Sequence, residues 1–201
     1  MGCETRQKVD FRASFGVLRD TVSMASAALI PVSEYLNSSY EPDCDYVDGE
    51  LQERNVGELA HGVLQGLLVT LFDMHRREWN VFAGTEVRLQ VSAHRYRVPD
   101  VCVLRKSDPF VPIVQKAPLI CIEVLSPEDR MNRMQERFAD YARMGVENMW
   151  LVDPISRHAW VVSADGSQQS VSDALTVPGT PIRVDLAEVF AELDEMQQGN
   201  E

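Results

Sequence analysis

No apolar run in this 201-residue chain approaches the roughly 18 residues that a membrane-spanning helix needs, although 45% of its residues are hydrophobic. Residues 1–23 also lack the long apolar core of a secretory signal. We therefore predict a cytoplasmic protein with no membrane partner. The four cysteines contain no Cys-X-X-Cys pair, which argues against a zinc ribbon or a thioredoxin-like site and favours reduced thiols.

Basic residues are also scarce, because 19 Lys and Arg residues face 31 Asp and Glu residues and the net charge is −12. Loose binding along bulk nucleic acid requires many basic contacts, so any contact with nucleic acid must come from a local basic patch. The length and the apolar content suffice for one compact domain. We predict that this domain spans residues 31–195, between an N-terminal extension (1–30) that is disordered or outside the core and a short tail (196–201).

Hydrophobic periodicity predicts helices over 57–78, 127–145 and 185–196, the last of them capped by Asp185. The first has apolar residues at helical spacing: Leu59, Val63, Leu67, Leu71 and Met74. Strands are predicted over 44–47, 50–54, 81–91, 96–104, 118–124, 148–154, 158–164 and 181–184, with Asp48-Gly49 forming a tight hairpin turn. The signal between 169 and 178 is weak. This order predicts an α/β (α+β) domain with a mixed central β-sheet flanked by helices.

Two carboxylates lie within short apolar runs, Asp100 in RVPDVCV and Glu123 in LICIEVLS. Burial of an unpaired carboxylate is costly, so a metal ion or cationic partners are expected. If the two strands are antiparallel neighbours with Asp100 opposite Glu123, then Cys102 lies opposite Cys121. The carboxylates would then share a hard divalent cation such as magnesium. The alternatives are separate ion pairs for the carboxylates and, for the cysteines, buried fillers rather than a disulfide or a soft-metal site.

Polar groups on two helices point toward the same sheet. Arg130, Arg133 and Arg137 form a stripe beside the apolar arc of the second long helix, which comprises Met131, Met134, Phe138, Tyr141 and Ala142. Such arginines hold a phosphate or form a solvated face. On the first long helix, Glu58, His61 and Gln65 recur at the edge of the apolar face. Glu58 would complete a metal site or, alternatively, serve as a favourable helix N-terminal charge, whereas His61 would bind a phosphate or accept a proton.

The ordered series VDGELQERNVGELAHGVL, RVPDVCVL, IEVLSPEDR, ERFADYARMGVENMWLVDP and AEVFAELD resembles the Uma-type putative restriction endonucleases, a branch of the PD-(D/E)XK nuclease superfamily. The resemblance covers about residues 31–194. It implies a restriction-endonuclease-like fold, magnesium-dependent (or manganese-dependent) phosphodiester hydrolysis and DNA as substrate. It also implies a metal-binding carboxylate pair that matches Asp100 and Glu123, and a first-helix acid that matches Glu58.

The chain departs from the superfamily pattern at one position, since Leu125 stands where the catalytic lysine normally follows the second acid. In this branch the lysine moves to the next helix, and the matching residue here is Arg137, four residues before Tyr141. Arginine keeps the charge but is a poor proton acceptor. We therefore predict a DNA endonuclease in which the Val124 carbonyl is a further metal ligand and in which His61, Arg130, Arg133 and Tyr141 bind substrate. The alternative is a nuclease-like module that binds nucleic acid or a protein partner without cutting; a homodimer is compatible with both.

Overall fold

The computed structural model describes residues 29–40, 43–54, 58–127, 129 and 131–198. The predictions for residues 1–28 and for Arg130 therefore lie outside the described residues. The helices in these ranges are α1 (Val32–Leu36), α2 (Leu59–Met74), α3 (Met131–Met144) and α4 (Leu186–Gln198). The strands are β1 (Cys44–Val47), β2 (Glu50–Glu53), β3 (Val81–Gly84), β4 (Leu89–Ser92), β5 (Arg95–Arg97), β6 (Val101–Arg105), β7 (Ile120–Val124), β8 (Asn148–Asp153), β9 (His158–Val162), β10 (Gln168–Val171), β11 (Ala174–Thr176) and β12 (Arg183–Asp185).

The central sheet is mixed and has helices on both faces, as predicted. Its strand order is β10-β9-β8-β7-β6-β3, with β7 and β8 parallel and the other neighbours antiparallel. Alternate side chains of β7 point to opposite faces. Ile120, Ile122 and Val124 pack with α2 and α4, whereas Cys121 packs with α3. Glu123, two residues after Cys121, therefore faces α3.

A proline divides the long strand that the sequence predicts over 96–104. Proline has no N–H group to donate to a sheet. Here Pro99 separates β5 from β6, and the two strands belong to different sheets. This break leaves Asp100 immediately before β6, at the edge of the central sheet. The predicted strand over 81–91 is also two strands, because the chain turns between β3 and β4, where Glu86 has a φ of 56°.

A second, antiparallel sheet with the order β2-β1-β5-β4 lies beside the central one. The predicted hairpin turn between β1 and β2 is confirmed, with φ values of 51° at Asp48 and 100° at Gly49. Ile30, the last residue of the predicted extension, donates a hydrogen bond from its N–H group to the Gly49 carbonyl in this turn (2.8 Å). The weak-signal region between 169 and 178 contains β10 and β11. In the described part of the chain, no helix has the length and apolarity required to span a membrane.

The apolar faces of the helices differ from the predicted ones at their ends. Leu59 and Met74 were expected to face the core, yet they are 78% and 75% exposed, because Leu64, Leu68 and Phe72 occupy the buried face of α2. Met131 is likewise 53% exposed at the start of α3. The other predicted residues of these faces pack against the core: Val63, Leu67 and Leu71 of α2, and Met134, Phe138, Tyr141 and Ala142 of α3. The first and last turns of these helices extend past the sheet. Periodicity alone therefore overestimates the burial of the apolar residues in those turns.

Replacement by alanine should have opposite effects on the free energy of unfolding at two glycines, Gly145 and Gly66. Gly145 ends α3 with a φ of 95° and donates to the Ala142 carbonyl, so it forms a left-handed cap on this helix. Gly66 is exposed within α2, and a Cβ added there meets nothing within 4 Å. We expect Gly145→Ala to lower the free energy of unfolding by about 1 kcal/mol and Gly66→Ala to raise it by about 0.5–1 kcal/mol. Urea unfolding measures both, and equal shifts would contradict the assigned backbone conformations.

Candidate active site

Asp100 and Glu123 meet where β6 begins and β7 ends. The two strands are antiparallel with Cys102 opposite Cys121, which is the register predicted from the sequence. Both carboxylates are removed from solvent, since Asp100 is 4% exposed and Glu123 is 0% exposed. The facing cysteines are buried free thiols, and burial raises the pKa of Cys102 to about 12. These thiols are therefore core fillers, and the chemistry of this region belongs to the carboxylates.

Asp100 accepts hydrogen bonds from three different elements. Its Oδ2 atom accepts from the Val124 backbone N–H (2.8 Å) and lies 3.3 Å from His61 Nε2, and its Oδ1 atom accepts from Arg54 Nη2. Gln65 holds the backbone carbonyl of Asp100 at 2.6 Å. Burial opposes ionisation, but the hydrogen bond from His61 and the charge of Arg54 outweigh it and lower the pKa of Asp100 to about 2. Asp100 is therefore a carboxylate at neutral pH, and its orientation is fixed.

Glu123 has a different environment on the α3 side of the sheet. Arg137 Nη1 donates to its Oε2 atom at 2.9 Å, and the Tyr141 hydroxyl donates to its Oε1 atom. Complete burial raises the pKa of Glu123 to about 7, because it outweighs the opposing charge of Arg137. Burial and the neighbouring Glu123 raise the pKa of Tyr141 well above its usual value, so its hydroxyl remains a donor. The helix therefore supplies both groups that hold the second carboxylate.

A buried ion network fixes the position of Arg137. Its Nε atom lies 3.1 Å from Asp45 Oδ2 on β1, so its guanidinium joins Asp45 to Glu123. Asp45 in turn accepts from Arg97 Nη1 (3.0 Å) and from the Val98 N–H (2.9 Å). Arg97 also donates to Asp140 at 2.6 Å, one turn beyond Arg137 on α3. Through this network the small sheet and α3 together orient the arginine over the end of the central sheet.

The network predicts a large stability effect at Arg97, which is fully buried between two carboxylates. Removing one member of a buried ion pair leaves its partner uncompensated. We expect Arg97→Met to lower the free energy of unfolding by about 3–5 kcal/mol, measured by urea denaturation. The matched control is Arg183→Met, which removes a half-exposed ion pair with Asp173 and should cost about 0–1 kcal/mol. Similar losses in the two variants would contradict the assigned role of Arg97.

The two carboxylates border a small cavity of about 20 Å³. Its lining residues are Arg54, His61, Asp100, Glu123, Val124, Ser126, Asp129, Met134 and Arg137. This volume has room for one water molecule. Among the described residues, no three His, Cys, Asp or Glu side chains are grouped as a metal-binding set. Magnesium, however, keeps several waters and needs only one or two protein carboxylates, so oxygen donors from Asp100, Glu123 and the Val124 carbonyl suit it.

Several residues predicted from the sequence lie elsewhere. Glu58 is the N-cap of α2, with φ −60° and ψ 168°, and its exposed side chain makes no capping hydrogen bond. Because Glu58 precedes the first helical residue, it does not share the face of α2 from which His61 and Gln65 contact Asp100. It does not line the cavity. Arg133 is exposed on α3. The structure thus brings His61, Arg137 and Tyr141 to the carboxylates but not Glu58 or Arg133.

Sequence reasoning missed Arg54 and Asp45, the two residues that the β1–β2 hairpin contributes. Each lies in a predicted strand whose pairing with the rest of the fold was unknown, so neither could be placed beside Asp100 or Arg137. A signal was nevertheless present, because Asp45 is the one charged residue of the predicted strand Cys44–Val47, which the structure shows to be fully buried. A charged residue within a fully buried strand requires a partner.

Comparisons with known proteins give the family and the fold of the chain. A family model described as "Putative restriction endonuclease" (Uma2) matches residues 32–190. The crystal structure of a putative nuclease from Anabaena variabilis is similar, with a TM-score of 0.71 and 20% sequence identity over 82% of this chain and 99% of that chain. At this identity the likeness establishes a shared fold. Among curated proteins, no sequence matches the chain. The family match spans most of the chain, which therefore belongs to the Uma2 family of putative restriction endonucleases.

Proposed function

We propose that the protein is a nuclease that hydrolyses phosphodiester bonds in DNA with the help of magnesium or manganese. The observation that carries this proposal is the pair of buried carboxylates, Asp100 and Glu123, on one small cavity at the ends of adjacent strands. Asp100, Glu123 and the Val124 carbonyl would hold the metal. A divalent cation bound there would supply a Lewis acid for a phosphate oxygen and lower the pKa of water.

The side chains around Asp100 and Glu123 would have different roles in the reaction. Arg137 carries a permanent charge and accepts no proton, so it would stabilise the negative charge that develops on a phosphate. Tyr141 keeps its proton and orients Glu123. His61 has a raised pKa, because the hydrogen bond and charge of Asp100 outweigh the effect of burial. It therefore favours the protonated form and would donate to Asp100 or to a phosphate oxygen.

Substrate binding outside the cavity would rely on basic groups at the start of α3. Arg133 is solvent-exposed in the first turn of this helix and would contact a neighbouring phosphate. Arg130 would add a further contact of the same kind. With a net charge of −12, the rest of the surface repels DNA, so affinity should depend on these few local contacts and on salt concentration.

Cleavage of supercoiled and single-stranded DNA tests the proposal. The purified protein is incubated with each substrate in magnesium, in manganese and in EDTA, beside an Asp100→Ala variant purified in parallel. We expect metal-dependent cutting by the wild type and none by the variant. Cutting that persists in the variant, or that survives EDTA, would contradict the assignment of the carboxylate pair.

A second candidate is a nuclease-like module that binds nucleic acid or a protein partner without cutting. The observation that favours it is that each carboxylate already has an arginine partner, Arg54 for Asp100 and Arg137 for Glu123. Thermal unfolding separates the candidates, since a ligand that binds the folded state raises its stability in proportion to RT ln(1 + [L]/Kd). A metal site predicts a melting temperature that rises with magnesium or manganese, whereas the binding module predicts no change. A homodimer is compatible with both candidates, and light scattering would reveal it.

A further inference from the structure

Arg54 already occupies one oxygen of the proposed metal ligand Asp100. The Oδ2 atom of Asp100 is held by the Val124 N–H and by His61, and Arg54 Nη2 holds the Oδ1 atom. Arg54 and Asp100 both line the 20 Å³ cavity. A cation that enters this cavity and binds Asp100 therefore meets a guanidinium that is already on the carboxylate.

The charges of the cavity favour exchange over addition. Two of the carboxylates that line the cavity, Asp100 and Glu123, are each paired with a guanidinium group, from Arg54 and Arg137 respectively. A divalent cation added without any release would place two more positive charges beside these two ion pairs. Like charges only a few ångströms apart repel strongly in a partly buried site. Binding of the cation should therefore expel one of the arginines.

The contacts of the two arginines indicate which one leaves. Arg137 is held by both Asp45 (3.1 Å) and Glu123 (2.9 Å). Arg54 contacts Asp100 through a single nitrogen, and within the described residues its buried Nε atom has no hydrogen-bond partner. Guanidinium–carboxylate pairs are strongest when two parallel hydrogen bonds form, and a buried donor without a partner is costly. Arg54 is therefore the less securely held of the two.

We infer that Arg54 is an internal counter-ion that competes with the divalent cation for Asp100 and thereby sets the metal affinity of the site. In the metal-free protein it neutralises the buried carboxylate, and on metal binding it moves off. This inference rests on the proposed function through its metal pair. If Arg54 competes with the cation, removing the charge at position 54 should strengthen metal binding. Loss of a residue that lines a site would ordinarily weaken binding there, so the two expectations are opposite.

Manganese binding measures this competition directly, because electron paramagnetic resonance reports free aqueous Mn²⁺. The proteins are the wild type, two neutral variants (Arg54→Gln and Arg54→Met) and the control Arg183→Gln, which makes the same change in net charge at a half-exposed residue paired with Asp173. We expect the neutral variants to bind Mn²⁺ at least about tenfold more tightly than the wild type. The control should agree with the wild type within about twofold, since exposed charges are screened. Asp100→Asn should abolish binding in each background.

The wild-type protein offers a second measurement that needs no folded variant. Phenylglyoxal modifies accessible arginines, and mass spectrometry quantifies its addition to Arg54, whose side chain is 13% exposed when paired with Asp100. Saturating magnesium should raise the labelling rate of Arg54, because the guanidinium has left the carboxylate, and should leave that of Arg183 unchanged. Equal labelling of Arg54 with and without magnesium would overturn the inference.

The outcomes also separate the inference from the proposed function. Unchanged or weaker Mn²⁺ binding by both neutral variants, with wild-type binding lost in Asp100→Asn, would overturn the role of Arg54 and leave the metal pair intact. Absence of Mn²⁺ binding in the wild type and in both neutral variants would overturn the inference and the metal pair together. If Arg54→Gln fails to fold, Arg54→Met, whose apolar side chain needs no hydrogen-bond partner, and the labelling experiment decide the question.

Discussion

The Asp100→Asn and Glu123→Gln variants should each cleave DNA at least about 10³-fold more slowly than the wild type. Each change replaces a carboxylate with a neutral amide of nearly the same size. The new amide oxygen can still accept from the Val124 N–H in the first variant and from the Tyr141 hydroxyl in the second. What is lost is the charge that would hold the cation. Metal ions contribute several kcal/mol to such reactions, and each ~1.4 kcal/mol is a factor of ten in rate.

Asp108→Asn is the matched control for these two variants. Asp108 is also buried and pairs with Lys116, but it follows β6, whereas Asp100 precedes that strand. Its variant should retain the wild-type cleavage rate per folded molecule. Circular dichroism and thermal melting establish how much of each protein is folded. Equal losses in the Asp100 and Asp108 variants would indicate a general effect on the fold and would contradict a special role for the carboxylate pair.

The second large effect is expected at Arg137. Arg137→Gln removes the charge beside Glu123 and should lower kcat by about 10²–10³-fold, the usual effect of losing one group that stabilises transition-state charge. Arg137→Lys keeps a charge, but a single ammonium lacks the planar fork that contacts Asp45 and Glu123 together. We therefore expect the lysine variant to retain part of the activity, with a loss of about tenfold relative to the wild type.

The control for this series is Arg143→Gln, on the same helix but outside the cavity, where Arg143 pairs with Asp140. Initial rates at saturating DNA, normalised to the folded fraction, give the comparison. A glutamine variant at position 137 that is as fast as Arg143→Gln would show that Arg137 has only a structural role. A lysine variant as slow as the glutamine variant would show that the forked geometry, and not the charge, is required.

The pairing of the two carboxylate strands was predictable from the sequence because strand side chains alternate with a period of two. Once RVPDVCV and LICIEV are taken as antiparallel neighbours, the register that pairs Cys102 with Cys121 also brings Asp100 near Glu123. The arc of α3 likewise predicted that Tyr141 faces the sheet beside Arg137. These inferences depend on local periodicity and on one pair of strands, which a sequence displays directly.

The remaining parts of the site depend on contacts between distant segments. Arg54 reaches Asp100 across 46 positions, and Arg97 reaches Asp45 across 52. No local pattern specifies how the β1–β2 hairpin lies against the central sheet, so these partners could not be placed. Glu58 lies one position before α2, so helical spacing alone could not place its side chain relative to Asp100.

The structure shows which cation lies beside Glu123 in the absence of a lysine at position 125. Leu125 follows β7 in the position where the resemblance seen in the sequence implies a lysine, and the cation beside Glu123 comes instead from α3. Because Arg137 also bonds Asp45, its guanidinium is oriented more firmly than a flexible ammonium would be. In the proposed nuclease, this helix would therefore stabilise negative charge, and other groups would transfer the proton.

Nicking of supercoiled plasmid is the most direct test of the central claim that Asp100 and Glu123 form a metal-dependent cleavage site. Wild type and Glu123→Gln are purified in parallel and compared in magnesium, in manganese and in EDTA, with equal folded concentrations. We expect nicking by the wild type in magnesium, none in EDTA, and a rate at least about 10³-fold lower for the variant. Equal nicking by the two proteins, or an inactive wild type in every metal, would contradict it.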